Sequence, residues 1–192
     1  MKNPDAQAET VCLRGDNCCI SLADVSKLLD IISKISHVIK TSPAFRDLAV
    51  PLANDIEMTR NAVIKIRNSL EVFIKIAVRI SEKDVDESFV YTMSNTLNRL
   101  VEVRNRLSRI IDFVEGSSDN IRSIASDAIL WIDSILLRFS LIALAFAANV
   151  KRWSREAAGA FSSAIASALF ATLLSLNSSE NIVELLKECT QY

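Results

Sequence analysis

Glycine, proline and histidine are scarce. Three Gly and three Pro in 192 residues leave too little turn material for a many-stranded β fold, so long helices are expected. The one His, His37, has no acid or thiol partner nearby and is read as surface or core filler. No HExxH, CxxC, GxSxG or phosphate-binding glycine loop occurs. The acids Asp84, Asp86 and Glu87 cluster at an expected helix start, where the helix dipole accounts for them. An enzyme is therefore not expected, nor a cofactor. Cys12, Cys18 and Cys19 lack a His or a second Cys pair at zinc-finger spacing, which speaks against a metal site.

A charge excess is missing too. Lys and Arg number 22 against 23 Asp and Glu, a net charge of −1, so nucleic acid is not an expected partner. The first eleven residues are polar and do not read as a secretory signal. Lys2 stands where N-myristoylation needs Gly, and the last six residues are not a prenylation box. These features point to a cytoplasmic protein, with membrane association as an added expectation. Cys12, Cys18, Cys19 and Cys189 are then expected to be reduced thiols.

What the chain does have is apolar length. Half of its residues are hydrophobic. Two apolar helical segments fill 129–176, joined by the basic link Lys151-Arg152-Trp153-Ser154-Arg155. From 157 to 176 no charged residue occurs, about the twenty positions a helix needs to cross a bilayer. Small residues recur every four positions there (Gly159, Ser163, Ser167, Ala171, Ser175), a spacing that lets helix backbones approach closely, and contact with the preceding helix is expected. In that preceding segment Asp133 and Arg138 lie about 140° apart around a helix and cannot pair with each other. Each needs water or a partner on another helix, which makes this segment a poorer spanning candidate than 157–176.

Taken in order, residues 1–19 are expected to be a disordered leader. Their Arg14-Gly15-Asp16, a tripeptide of integrin ligands, is read as chance. Residues 20–192 are expected to form one helical-bundle domain with an apolar hairpin over 120–176. A helix should start after Ser21, with Asp24 placed for a near capping box and Leu22, Val25, Leu28, Ile32, Ile35 and Ile39 as its buried stripe. Ser42-Pro43 restarts the chain into a short helix to about Val50, and Pro51 should break or kink the path. The next helix, to about Arg79, keeps a 3-4 seam through Ile56, Thr59, Val63, Ile66, Leu70, Phe73, Ala77 and Ile80. Residues 81–84 should cap a helix over 88–114, seamed by Met93, Leu97, Leu100, Leu107, Ile111 and Val114, with Arg104 intruding near the seam. Arg99, Glu102, Arg106 and Arg109 form a second face: a solvated salt-bridged surface, or a basic strip (Arg99, Arg106, Arg109) for acidic headgroups or an acidic partner. Gly116 stops that helix. A short amphipathic helix should end the chain over 180–189. The fold class is all-α, a bundle of five to six helices with an apolar C-terminal hairpin.

Residues 43–112 carry a resemblance. A proline-led short helix, a long helix with Lys65-Ile66-Arg67-Asn68 followed by Leu70, Ile74, Ala77 and Ile80, an acidic link and a second long helix with Leu97, Leu100, Val103 and Leu107 occur in that order. This resembles the N-terminal four-helix-bundle adaptor of mixed-lineage-kinase-like cell-death proteins. The resemblance implies a cytosolic bundle that self-associates and meets membranes through acidic lipids. After Gly116 the apolar hairpin has no counterpart in that family. A looser similarity is to the apoptosis-regulator bundle, whose Asn-Trp-Gly-Arg signature is echoed only by Arg152-Trp153-Ser154-Arg155.

Two functions follow. In the first, the chain is a membrane-active bundle of the cell-death or pore-forming kind, its hairpin sheathed in the soluble state and anchored at anionic membranes. Lys151, Arg152, Trp153 and Arg155 would hold the link at the surface, and Gly159, Ser163 and Ser167 would make membrane or partner contacts. In the second, it is a soluble adaptor-like interaction module that binds a partner helix, with the hairpin as its core.

Overall fold

The structure, a computed structural model, describes residues 10–13, 18–45, 49–79, 85–114 and 119–176, together with Glu184 and Lys187, which are helical. Five helices account for nearly all of it: α1 (Leu22–Thr41), α2 (Ala49–Arg79), α3 (Glu87–Val114), α4 (Asp119–Ala147) and α5 (Arg155–Leu176). A 3₁₀ turn, Pro43–Phe45, follows α1. The all-α bundle with two apolar C-terminal helices is the observed fold.

α1 starts where its sequence says it should, whereas α2 and α3 depart from expectation. The short helix expected over 43–50 is a 3₁₀ turn at Pro43–Phe45, with residues 49–50 already in α2. In the α3 seam Ile110 is buried where Ile111 was expected. Ser21 and Asp24 form a reciprocal capping box at the start of α1: Asp24 N donates to Ser21 Oγ at 3.4 Å, and Ser21 N donates to Asp24 Oδ2 at 2.8 Å. Val25, Leu28, Ile32, Ile35 and Ile39 are buried as a single stripe. In α2 the whole seam from Ile56 to Ala77 is buried, Thr59 included, and the Thr59 hydroxyl is satisfied by Asp55 O at 2.7 Å. Pro51 does not break the path. It lies in the first turn of α2, where an amide would have no intrahelical partner and its absence costs nothing. α3 is capped by Asp86; residues 81–84 lie outside the described residues. The Asp86 carboxylate accepts from Phe89 N at 2.9 Å and from the Ser88 hydroxyl at 2.8 Å. Gly116 and most of 180–189 also lie outside the described residues.

The helices run alternately up and down. α1 packs on α2 and α4, and α3 on α2 and α4, so the first four close a ring around one core. α5 lies in the outer groove between α3 and α4. The apolar hairpin of 120–176 is thus not a unit standing apart: its first helix is a wall of the bundle and its second a cover. This explains the composition of α4, which faces α1, α3 and α5 and must be apolar on most of its circumference. Phe73 of α2, Phe89 of α3 and Phe139 of α4 meet in the core towards the end of the bundle where α2 ends and α3 begins, with ring centroids 5.1 Å (stacked) and 4.9 Å (edge-on) from Phe73.

The expected loose leader is corrected over its described part. Thr10–Cys12 (β1) and Cys19–Ser21 (β2) pair antiparallel, with Val11 opposite Ile20 and Cys12 opposite Cys19. The period of two turns Val11 and Ile20 inward together, and both are buried in the core. The expected reduced thiols are corrected as well. Cys12 and Cys19 are joined in a disulfide, and no free thiol is found among the described cysteines. Cys189 lies outside the described residues.

Candidate functional site

The basic link is fixed by one serine. Ser154 accepts from Ala157 N at 3.1 Å, capping α5, and its hydroxyl also bonds the Glu87 carboxylate at the start of α3. One serine therefore pins the link to the end of the bundle where α3 begins. Lys151, Arg152 and Arg155 are exposed around it. Trp153 is 38% exposed, and its ring lies 5.6 Å from that of Phe161, so its inner edge rests on α5 while its outer edge meets water.

α5 divides into two unlike faces. Ala157, Phe161, Ala164, Ile165, Ala168, Ala171 and Thr172 are buried against the bundle. Gly159, Ser162, Ser163, Ala166, Ser167, Phe170 and Leu173 are exposed, Phe170 at 67% and Leu173 at 55%. The expectation that the small-residue stripe meets the preceding helix is therefore overturned for Gly159, Ser163 and Ser167, while Ala171 of the same stripe is buried. An alanine stripe makes that contact, because alanine offers close approach with no hydroxyl to satisfy, whereas the serines keep their oxygens in water. A Cβ added at Gly159 would meet nothing within 4 Å, so the stripe is open. The exposed face of a bundle helix ordinarily carries charge; beyond Glu156 this one carries none.

The basic strip on α3 is largely engaged within the bundle. Arg99 Nη1 donates to Lys65 O at 3.3 Å and to the Ser69 hydroxyl, both on α2. Arg106 forms an ion pair with Glu102 one turn earlier at 2.8 Å and also donates to it through Nε at 3.0 Å. Arg109 is exposed beside Asp112 and Phe113, at a shallow cavity of about 220 Å³. Lys65, Arg99, Glu102 and Arg106 line a groove of about 380 Å³ between α2 and α3. The link lies beside Glu87 and the strip begins at Arg99, about 18 Å further along α3 at the rise of an α-helix, so the two basic clusters do not form one patch.

The polar obligations of α4 are met from other helices, as its sequence requires. Arg104 Nε reaches Asp133 Oδ1 at 2.9 Å; Asp133 is fully buried and the Arg104 side chain is 11% exposed. Arg138 Nη2 reaches Asp24 Oδ1 of α1 at 2.9 Å, and its Nη1 donates to Cys19 O of β2 at 2.8 Å. Trp131 Nε1 donates to Asp24 O at 2.9 Å, and Lys27 Nζ sits 3.5 Å from the centre of the Trp131 ring. Two carboxylates elsewhere have lowered pKa values. Asp86 is held down by the Phe89 backbone N–H and then the Ser88 hydroxyl, and Glu71 by the Lys75 ammonium one turn on. Neither lies in a cleft of acid–base groups. Among the described residues no cluster of His, Cys, Asp and Glu could hold a metal ion.

Two features escaped the sequence reading. The hairpin was hidden because each strand is only three residues long, too short for a periodicity signal. The alanine face of α5 could have been found by laying Ala157, Ala164, Ala168 and Ala171 beside Phe161 and Ile165 on one helical face. The tripeptide at 14–16 lies outside the described residues. No protein-family model matches the chain, and no curated protein or solved structure matches it significantly.

Proposed function

We propose that the chain is a membrane-active helical bundle of the cell-death or pore-forming kind, in which α5 and the link before it are the lipid-facing parts. The observation that carries this is the uncharged outer face of α5, continuous with a cationic, Trp-bearing turn. The residue roles follow from where each side chain lies. Lys151, Arg152 and Arg155 attract anionic headgroups, each worth about 1 kcal/mol near such a surface. Trp153 seats at the interface, and Phe170 and Leu173 enter the acyl boundary. In lipid the open Gly159–Ser163–Ser167 stripe lets copies pack against each other, which favours self-association on the membrane. The tip does not cross, because three cations would each cost about 2.5–3.5 kcal/mol in hydrocarbon. The cell-death assignment rests on the resemblance of residues 43–112.

The cytoplasmic placement loses one support. Disulfides such as Cys12–Cys19 persist in oxidising compartments and are rare in the cytosol. The Cys12–Cys19 bond thus fits a chain that forms it in an oxidising compartment.

A second reading, a soluble interaction module for a partner helix, is favoured by α4: its most apolar stretch exceeds that of α5, yet it serves as core. One experiment separates the readings. Tryptophan emission is recorded with and without vesicles containing an anionic phospholipid, for the wild type and for Trp153→Phe. A blue shift that appears in the wild type and vanishes in the variant supports the membrane reading. An unchanged spectrum, with vesicle flotation also negative, removes it.

A further inference from the structure

The hairpin at the start of the described chain is fastened at two levels. Three residues per strand is too short for a two-stranded ribbon to hold in water, so its pairing depends on what closes and covers it. The Cys12–Cys19 disulfide closes it across a sequence separation of 7. Val11 and Ile20 plug it into the helical core. From there a polar chain runs into the bundle. Cys19 O accepts from Arg138, Arg138 also holds Asp24 Oδ1, and Asp24 in turn caps α1 through Ser21 and accepts from Trp131 through its carbonyl. The Arg138 and Asp24 side chains are each only 12% exposed, so these bonds are sheltered. One guanidinium therefore joins the disulfide-bearing strand, α1 and α4.

We infer that the Cys12–Cys19 disulfide is a redox latch on the α1–α4 seam. Oxidised, it holds the Cys19 carbonyl on Arg138. Reduced, it releases that acceptor and loosens the start of α1. Cys12 is exposed and Cys19 only partly so, which makes Cys12 the accessible end. A thiolate of a small dithiol attacks Cys12 Sγ, and the S–S bond breaks with Cys19 leaving as a thiolate that takes up a proton. The second thiol of the reductant then closes on the mixed disulfide and frees Cys12. The protein gains two electrons and two protons, and the dithiol becomes a cyclic disulfide. The device operates when the chain passes from an oxidising to a reducing compartment. It acts on α1 and α4, not on the outer face of α5, so it stands whether or not that face meets lipid.

Cys18 is itself disulfide-bonded, and reductant would open that bond as well. The test is therefore amide hydrogen exchange on the full chain as the Cys18→Ser variant, oxidised and treated with dithiothreitol, and as the Cys12→Ser/Cys19→Ser variant without reductant, which leaves the Cys18 bond intact. Exchange over residues 21–28 and 131–138 is expected to rise at least ~10-fold in the reduced protein and in the variant, while residues 93–107 of α3 change by less than about twofold, the pattern of a local opening. Arg138→Met should give the same local rise in the oxidised protein and remove most of the response to reductant. Unchanged exchange in 21–28 and 131–138 on reduction overturns the latch, as does an equal rise across α3. Should the double variant not fold, the reduction time course of Cys18→Ser decides: opening of 21–28 ahead of α3 supports the latch, and simultaneous opening contradicts it.

Discussion

α4 and α5 are the two helices long and apolar enough to cross a membrane, and the bundle uses them in opposite ways. The most apolar stretch of α4 exceeds that of α5, but α4 carries Asp133 and Arg138, each bound to a different neighbouring helix. To leave the bundle, α4 would have to break both pairs and strand their partners. α5 has no such tie beyond its caps, and its outer side holds Phe170 and Leu173 in water. Hydropathy along a helix does not say which of the two the bundle leaves with an uncharged face open to solvent; the placement of a few charges, and which side is exposed, does.

The comparison can be broken by substitution. Removing Arg104, with Arg104→Ala, deprives fully buried Asp133 of its salt bridge and is expected to cost about 3–5 kcal/mol in urea unfolding. Phe139→Ala on α4 should cost a similar amount, about 3–5 kcal/mol, since Phe139 is fully buried in the aromatic cluster. Phe170→Ala on α5 should change stability by less than about 0.5 kcal/mol. If Phe170 proved as costly as Phe139, the division of α5 into an inner and an outer face would be wrong.

Smaller effects sharpen the account of α3, on which both helices rest. Asp86→Ala removes the α3 cap and should cost about 1 kcal/mol at neutral pH. The folded Asp86 carboxyl has a lowered pKa, so its contribution is complete above the ordinary Asp value near ~3.9 and is lost as pH falls through the folded value. Wild type and variant should therefore converge in acid, and a difference that persisted unchanged at the lowest pH would argue against the capping assignment. Ser140→Ala on α4 should stabilise by up to about 1 kcal/mol, because Ser140 Oγ is buried with no hydrogen-bond partner among the described residues. A loss of stability there would reveal a bond or water that the serine makes.

Much of the fold was legible because it rests on helical periodicity. The α2 seam from Ile56 to Ala77 and the α1 stripe from Val25 to Ile39 are read directly from 3-4 spacing and are buried; Leu22, the first of the expected stripe, is only partly so, and Ile80 lies outside the described residues. The demand of Asp133 and Arg138 for partners on other helices was legible from their angle alone, and Arg104 stood out as a charge near a seam. What could not be read is what depends on geometry between distant segments. Pro51 breaks or begins a helix according to where the preceding turn ends. The Gly159 stripe and the Ala164 stripe of α5 suit close packing equally well as patterns, and only the positions of α3 and α4 decide which is inside. Cys12 and Cys19 meet only because Val11 and Ile20 bury together.

The central claim is that α5 meets lipid with its outer face while remaining seated on α3 and α4. Flotation with anionic vesicles, comparing the wild type with Phe170→Glu/Leu173→Glu, tests it most directly. Both positions are more than half exposed, so the variant should fold with an unchanged unfolding midpoint. The wild type is expected to float with the vesicles and the variant to stay in the dense fraction. Equal flotation of the two, or no flotation of the wild type, would contradict the account.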